Sequence, residues 1–178
     1  MVDAQRLKKT ARPPSSAPRA RDRDAWVWAI VLCIVTVIAY APSLGGGFIW
    51  DDPDYVVNNP NLRDLGGLWS IWTNIFSLPQ WYPLVHTTYW IEFHVYRAAG
   101  LGDPPGLWPM GYKLVNLVLH IATALMLWRL LCRLAVPGAL LAAFVFAVHP
   151  VHVESVAWIT ERKNALSGFF YMAAFLAY

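Results

Sequence analysis

The residues best equipped for chemistry fall in two short stretches, FIWDDPDYVVNNP (48–60) and HPVHVESVAWITERKN (149–164). The first sets Asp51, Asp52 and Asp54 just after a long apolar run. Carboxylates partly withdrawn from water titrate high and can serve as general bases near neutral pH. The second stretch offers His149, His152 and Glu154, followed by Arg162 and Lys163. A basic pair of that kind holds a phosphate leaving group, or else anchors an interface and pairs with Glu161. His149-x-x-His152-x-Glu154 also has the ligand types of a divalent-metal site. Pro150 disturbs a regular helix through His149, so an orienting role is the stronger reading; a divalent metal stays open and no metal ligand is assigned. Asp52-x-Asp54 matches a bare D-x-D, but no strand–helix alternation of a nucleotide-binding sheet surrounds it.

What must position these residues is a membrane domain. Hydrophobic side chains make up 57% of the 178 residues and charged ones only 14%, unlike an ordinary soluble domain. Ten tryptophans suit membrane–water interfaces, where an amphipathic ring is at home. The net charge of +3 hides an asymmetry: residues 1–24 carry seven Lys/Arg against three Asp. No aromatic–basic interleaving accompanies them, so they read as a topology signal rather than a nucleic-acid site. That tail is poor in large apolar residues and reads as a disordered cytoplasmic segment. Cys33 and Cys132 sit in apolar runs, where thiols act as small hydrophobes.

The apolar runs predict spans at about 25–44, 112–131, 136–150 and 165–178. The last run is too short to cross, which predicts the N-terminal part of a longer polytopic protein. The positive-inside rule keeps the tail in the cytoplasm and puts loops 45–111 and 151–164 on the outer face. The first loop contains two stretches of helical period, LRDLGGLWSIWTNIFSL and LVHTTYWIEFHVYRAA, which read as amphipathic helices lying in the interface. The fold class expected is therefore all-α and polytopic, with both reactive stretches on one face. Two polar, carboxylate-bearing loops abutting apolar spans on one side fit a catalytic cleft, although a lone acidic loop could equally be a solvated turn. Lys113, Asn116 and His120 share a face of the second span, and polar groups at that depth line a cavity or bond between helices. Asn116 and His120 are the cavity-lining candidates; Lys113 is placed to snorkel.

F-I-W-D-D-x-x-Y-x-x-x-N-P, Tyr82-x-Leu84, G-Y-K-L-V-N-L-V-L-H and H-P-V-H-V-E-S-V-A-W-I-T-E-R-K-N-A-L-S occur in that order. Together they resemble the membrane domain of the tetratricopeptide-repeat O-mannosyltransferases, a group within the GT-C superfamily of glycosyltransferases that use polyprenyl-phosphate sugars. The resemblance covers residues 25–178 and implies a GT-C-like helical membrane fold with a repeat domain downstream. It implies an acidic catalytic pair at Asp51 and Asp52, donor-phosphate binding by Arg162 and Lys163, and orientation of the acceptor by His149, His152 and Glu154. The partners implied are a polyprenyl-phosphate-linked sugar donor, a protein or glycan acceptor and the bilayer, with no nucleic acid. No soluble nucleotide cofactor is needed, because the lipid phosphate itself leaves. Trp81-Tyr82-Pro83-Leu84 departs from the group's pattern, which often has an arginine there. The rival function is a non-catalytic membrane anchor, scaffold or transporter fragment attached to a repeat domain. The Arg-, Pro- and Ala-rich tail favours a bacterial inner membrane over the endoplasmic reticulum.

Overall fold

The computed structural model describes residues 19–178, with side chains from Asp24 onward; most of the basic tail lies outside the described residues. Seven α-helices and no strand occur among the described residues: α1 (Arg19–Leu44), α2 (Leu65–Thr73), α3 (Pro83–Ala98), α4 (Pro109–Arg133), α5 (Ala139–Val148), α6 (Val153–Ala157) and α7 (Arg162–Ala177). α1 thus starts at Arg19, inside the stretch expected to be disordered.

Asp24–Leu44 and Pro109–Arg133 are long and apolar enough to cross a membrane. α5 differs from the single span expected over 136–150. It has only ten residues, about 15 Å at 1.5 Å each and half a hydrocarbon core of about 30 Å. His149 takes an extended backbone and Pro150 cannot continue the helix, so the chain bends by 47° between Ala139–Val148 and Pro150–Ala157. The pair can cross only as a broken span.

The helices alternate in direction. Lys113 Nζ, near the start of α4, donates to the Ser43 and Gly46 carbonyls at 3.2 and 2.9 Å, closing the end of α1 where Gly45–Gly47 stop it. These contacts satisfy helix-end carbonyls that lack intrahelical donors, so Lys113 is a cap rather than a snorkelling anchor. At the opposite end Arg133 Nη1 donates to the Leu176 carbonyl at 2.8 Å, which sets α4 and α7 parallel. Where α1, α4 and α5 meet, Leu32 packs on Ala124, Ala143 and Ala147. Small residues allow close backbone approach between membrane helices, where dispersion replaces the hydrophobic effect as the driving force.

The segment between α1 and α4 forms a packed cap over one end of this bundle, here the loop end. α3 turns Val85, His86, Tyr89, Glu92 and Phe93 inward, an i, i+1, i+4, i+7, i+8 stripe. Val85, Tyr89 and Phe93 pack with Tyr55, Leu62, Ile71, Tyr112 and Ile159 in one core. α3 therefore packs one face into the core and leaves Leu84, Ile91 and Val95 exposed on the other. α2 buries only Ile71 and leaves Leu65, Trp69 and Trp72 exposed, with Phe76 beyond its end 89% exposed.

Candidate functional site

The two reactive stretches meet through Asp52. Its side chain is fully buried and accepts from Thr160 N at 3.0 Å, Thr160 Oγ1 at 2.5 Å and Ile49 N at 3.0 Å. Residues 108 positions apart are stapled by one carboxylate. Burial raises the Asp52 pKa, opposed by the bonds from Thr160 and Ile49 and by the Lys113 charge. Three donors occupy the carboxylate, so Asp52 faces inward and braces the two segments. The turn it closes holds Trp50 at φ 48°, a costly backbone for a bulky residue, with the ring edge-on to Trp158 at 4.8 Å.

Asp51 points the other way and is exposed, while its carbonyl accepts from Asp54 N and Tyr55 N to open a π-helical turn over Pro53–Val57. Asp54 is also exposed, so the two carboxylates of the D-x-D do not converge. Burial raises the pKa of the Tyr55 hydroxyl, and Tyr82, Asp51 and Glu161 lie close enough to add to the rise. That hydroxyl donates to Gln80 Oε1 at 2.9 Å. Glu161 accepts from Lys163 Nζ at 2.5 Å and from Asn164 Nδ2. Asp51, Glu161 and Lys163 thus share the loop end around Tyr55 and Tyr82. Beside them a groove of about 560 Å³ runs between α3 and α7, lined by Trp81, Tyr82, Leu84, Lys163, Asn164 and Phe170 among others.

Arg162 is placed differently from the phosphate-binding role expected of it. Its side chain is fully buried. Nε donates to Asn116 Oδ1, Nη1 to Glu92 Oε1 and to Thr88 Oγ1 at 3.0 Å. Nη2 donates to Glu92 Oε2 at 3.3 Å and to the Tyr112 carbonyl at 2.8 Å. All five N–H groups are spent. No N–H of Arg162 remains for a phosphate, while Lys163 Nζ is bonded to Glu161. Burial raises the Glu92 pKa, with Arg162 opposing the rise. Asn116 gives its amide N–H to the Trp158 carbonyl at 3.0 Å, so it too is a brace.

His120 does line one. A cleft of about 230 Å³ is bounded by His120, Thr123, Phe146, His152, Ser155 and Asn164, with Gly168 on its wall. His120 bonds the Ala147 carbonyl through Nε2 at 2.9 Å, and its ring lies 5.2 Å from that of His152. His149 is exposed and uses Nδ1 to accept from Val151 N at 3.2 Å; Glu154 is exposed as well. The His149 and His152 rings lie 6.4 Å apart, and among the described residues no group of three His, Cys, Asp or Glu is placed to hold a metal.

Glu92, Thr160, Thr88 and Tyr89, whose hydroxyl donates to the Ile159 carbonyl at 2.7 Å, were outside the sequence-based site. One signal was available for Glu92: it is the only carboxylate in the otherwise apolar and aromatic WIEFHVY, and an acid on such a stripe needs a buried cation.

Fold and site together define an all-α membrane protein whose two loop segments are joined at one end of a helix bundle. The sequence is homologous to proteins named protein O-mannosyl-transferase over most of its own length. It is 29% identical to Tmtc3 of Drosophila melanogaster, covering 93% of this chain and 21% of that protein. It is 30% identical to human TMTC4, covering 85% and 23%, and 32% identical to mouse TMTC3, covering 83% and 16%. The chain spans about a fifth of the length of these curated relatives. All three are animal proteins, which lends no support to a bacterial inner membrane. No family model matches the sequence, and no solved structure matches it.

Proposed function

We propose that the chain is the N-terminal part of the membrane domain of a glycosyltransferase. It would move a mannosyl group from a polyprenyl-phosphate carrier to a protein serine or threonine hydroxyl. The chemistry takes place on the non-cytoplasmic face; that orientation rests on the seven basic residues ahead of the first span. The names of the relatives support the sugar and the acceptor class. The observation that carries the mechanism is the contrast between the neighbouring aspartates: Asp51 is exposed and Asp52 is buried and fully bonded.

In this reading the acceptor oxygen attacks the anomeric carbon while its proton passes to the Asp51 carboxylate. The bond from that carbon to the phosphate oxygen breaks, and the polyprenyl phosphate leaves with the electron pair. Lys163 offsets the growing negative charge, since a fixed cation helps most where water is scarce. Asp52 holds the turn bearing Asp51 against the segment bearing Lys163 through Thr160. His149 and Glu154, exposed on the outer turn, contact the acceptor.

The test uses membranes carrying the protein, a radiolabelled polyprenyl-phosphate mannose and an acceptor polypeptide. Lys163→Gln is expected to raise the donor KM at least tenfold, and Asp51→Asn to abolish transfer. Wild-type kinetics in both variants would reject the assignment.

A further inference from the structure

The cleft walled by His120, Phe146 and His152 is unclaimed by the steps above, yet it is where a motif of α4 meets the outer-turn motif. NLVLH of α4 brings His120, and HPVHVES brings His152 and Ser155. α5 supplies Phe146, whose ring lies 4.4 Å from His152 and stacks on His120 at 5.3 Å. α7 closes the cleft with Asn164 and Gly168.

Three properties limit what it can hold. Its volume of about 230 Å³ is room for roughly eight waters at about 30 Å³ each, and lies below the roughly 300–1,000 Å³ of pockets for larger ligands. Its wall is one aromatic face with several neutral polar groups and no charged side chain. Part of its hydrogen-bonding capacity is unspent, although Thr123 Oγ1 already donates to the Leu119 carbonyl and Asn164 Nδ2 to Glu161. His120 uses Nε2 on the Ala147 carbonyl, so Nδ1 is left as an acceptor. Among the described residues no hydrogen bond uses the His152 ring or the Ser155 hydroxyl. A ring-shaped, uncharged ligand with an apolar face and several hydroxyls fits that set.

Asn164 also lines the groove that carries Lys163 and the apolar side chains Trp81, Leu84 and Phe170. The first turn of α7 is therefore a divide between an apolar groove with a cation and a small polar cleft.

We propose that the cleft seats a single hexopyranosyl ring, the sugar of the lipid-linked donor, with Phe146 against its apolar face and His120, His152, Ser155 and Asn164 on its hydroxyls. The placement rests on the transferase reading for the identity of the donor. The carrier's phosphate then lies at Lys163 and its first isoprene units in the groove between α3 and α7. His152 becomes a donor-binding residue rather than an acceptor-orienting one.

The test compares binding of two probes to the purified protein in nanodiscs: a short-chain polyprenyl-phosphate mannose and the same polyprenyl phosphate without sugar. A Cβ at Gly168 would meet only Thr123 Cγ2, at 3.7 Å, so a side chain there grows into the cleft without striking backbone. Wild type is expected to bind the mannosylated lipid at least tenfold tighter. Gly168→Leu should remove that preference while affinity for the sugar-free lipid stays within twofold. His152→Phe, which keeps an aromatic ring against Phe146, covers the case in which the leucine disturbs the fold and should lose at least fivefold of the preference. Equal wild-type affinity for the two lipids, equal loss for both lipids, or an unchanged preference in His152→Phe overturns the proposal. A full-length protein that prefers the mannosylated lipid but transfers nothing would reject the transferase reading and leave the cleft assignment standing.

Discussion

Removing the Glu92 carboxylate should damage the protein more than removing the whole Glu92–Arg162 pair. Arg162 is fully buried, and the Glu92 side chain is 9% exposed. In Glu92→Met the guanidinium keeps Asn116, Thr88 and the Tyr112 carbonyl but loses its only counter-charge. Stranding a buried charge in this way costs about 3–5 kcal/mol. Arg162→Met leaves the carboxylate alone, together with the Asn116 amide oxygen and the Tyr112 carbonyl. Protonation relieves part of that, since burial already raises the Glu92 pKa, and a cost near 3 kcal/mol is expected. The double variant, Met at both positions, leaves no charge; it orphans only weakly demanding oxygens, at about 1–3 kcal/mol in all. The double-mutant cycle should therefore report a coupling of at least about 3 kcal/mol, read by equilibrium unfolding in mixed micelles. Additive effects, within about 0.5 kcal/mol, would refute the claim that the pair is a desolvated unit.

Three further outcomes follow from the cap and its brace. Burial lowers the His86 pKa from 6.5 to about 4, so the unfolded chain takes up a proton that the folded one refuses. Stability should then fall by up to about 3 kcal/mol as pH drops from 6.5 to 4, and His86→Phe should lack this part of the slope in unfolding curves taken across that range. A Cβ at Gly67 would lie 2.3 Å from the Asn61 carbonyl oxygen, a backbone atom held by its own turn. Gly67→Ala should cost at least about 2 kcal/mol in thermal unfolding, whereas Gly168→Ala, free of such a clash, should be neutral or stabilising by up to about 1 kcal/mol. Asp52→Asn turns an amide N–H₂ toward either Ile49 N–H or Thr160, and should cost about 1–3 kcal/mol. Unchanged unfolding of that variant would remove Asp52 from its bracing role.

The parts of the molecule legible in the sequence were those set by hydropathy. α1 and α4 follow directly from runs long enough to cross, and both loop segments stand out by their charge. α5 is shorter than the run over 136–150 because it begins only at Ala139 and ends at Val148, ahead of Pro150, whose disturbance of the helix is visible in the sequence. The roles of the aspartates could not be separated by type. Asp51 and Asp52 are identical neighbours, and only the direction in which the Trp50 turn sends each one distinguishes brace from free carboxylate. Arg162 and Lys163 divide for the same reason, one at each side of the first turn of α7. Glu92, 70 residues from its partner, was hidden because pairing across that separation is fixed by the packing of α3 on α4 and α7.

The central claim is that the exposed aspartate does the chemistry and the buried one holds it in place. Single-turnover transfer from polyprenyl-phosphate mannose, measured alongside thermal unfolding for Asp51→Asn, tests it most directly. Unfolding should match wild type within about 0.5 kcal/mol, because the side chain is exposed and unbonded, and the transfer rate should fall by at least about a hundredfold, the lower end of what a general base supplies. Full transfer by a normally folded Asp51→Asn protein would contradict the account.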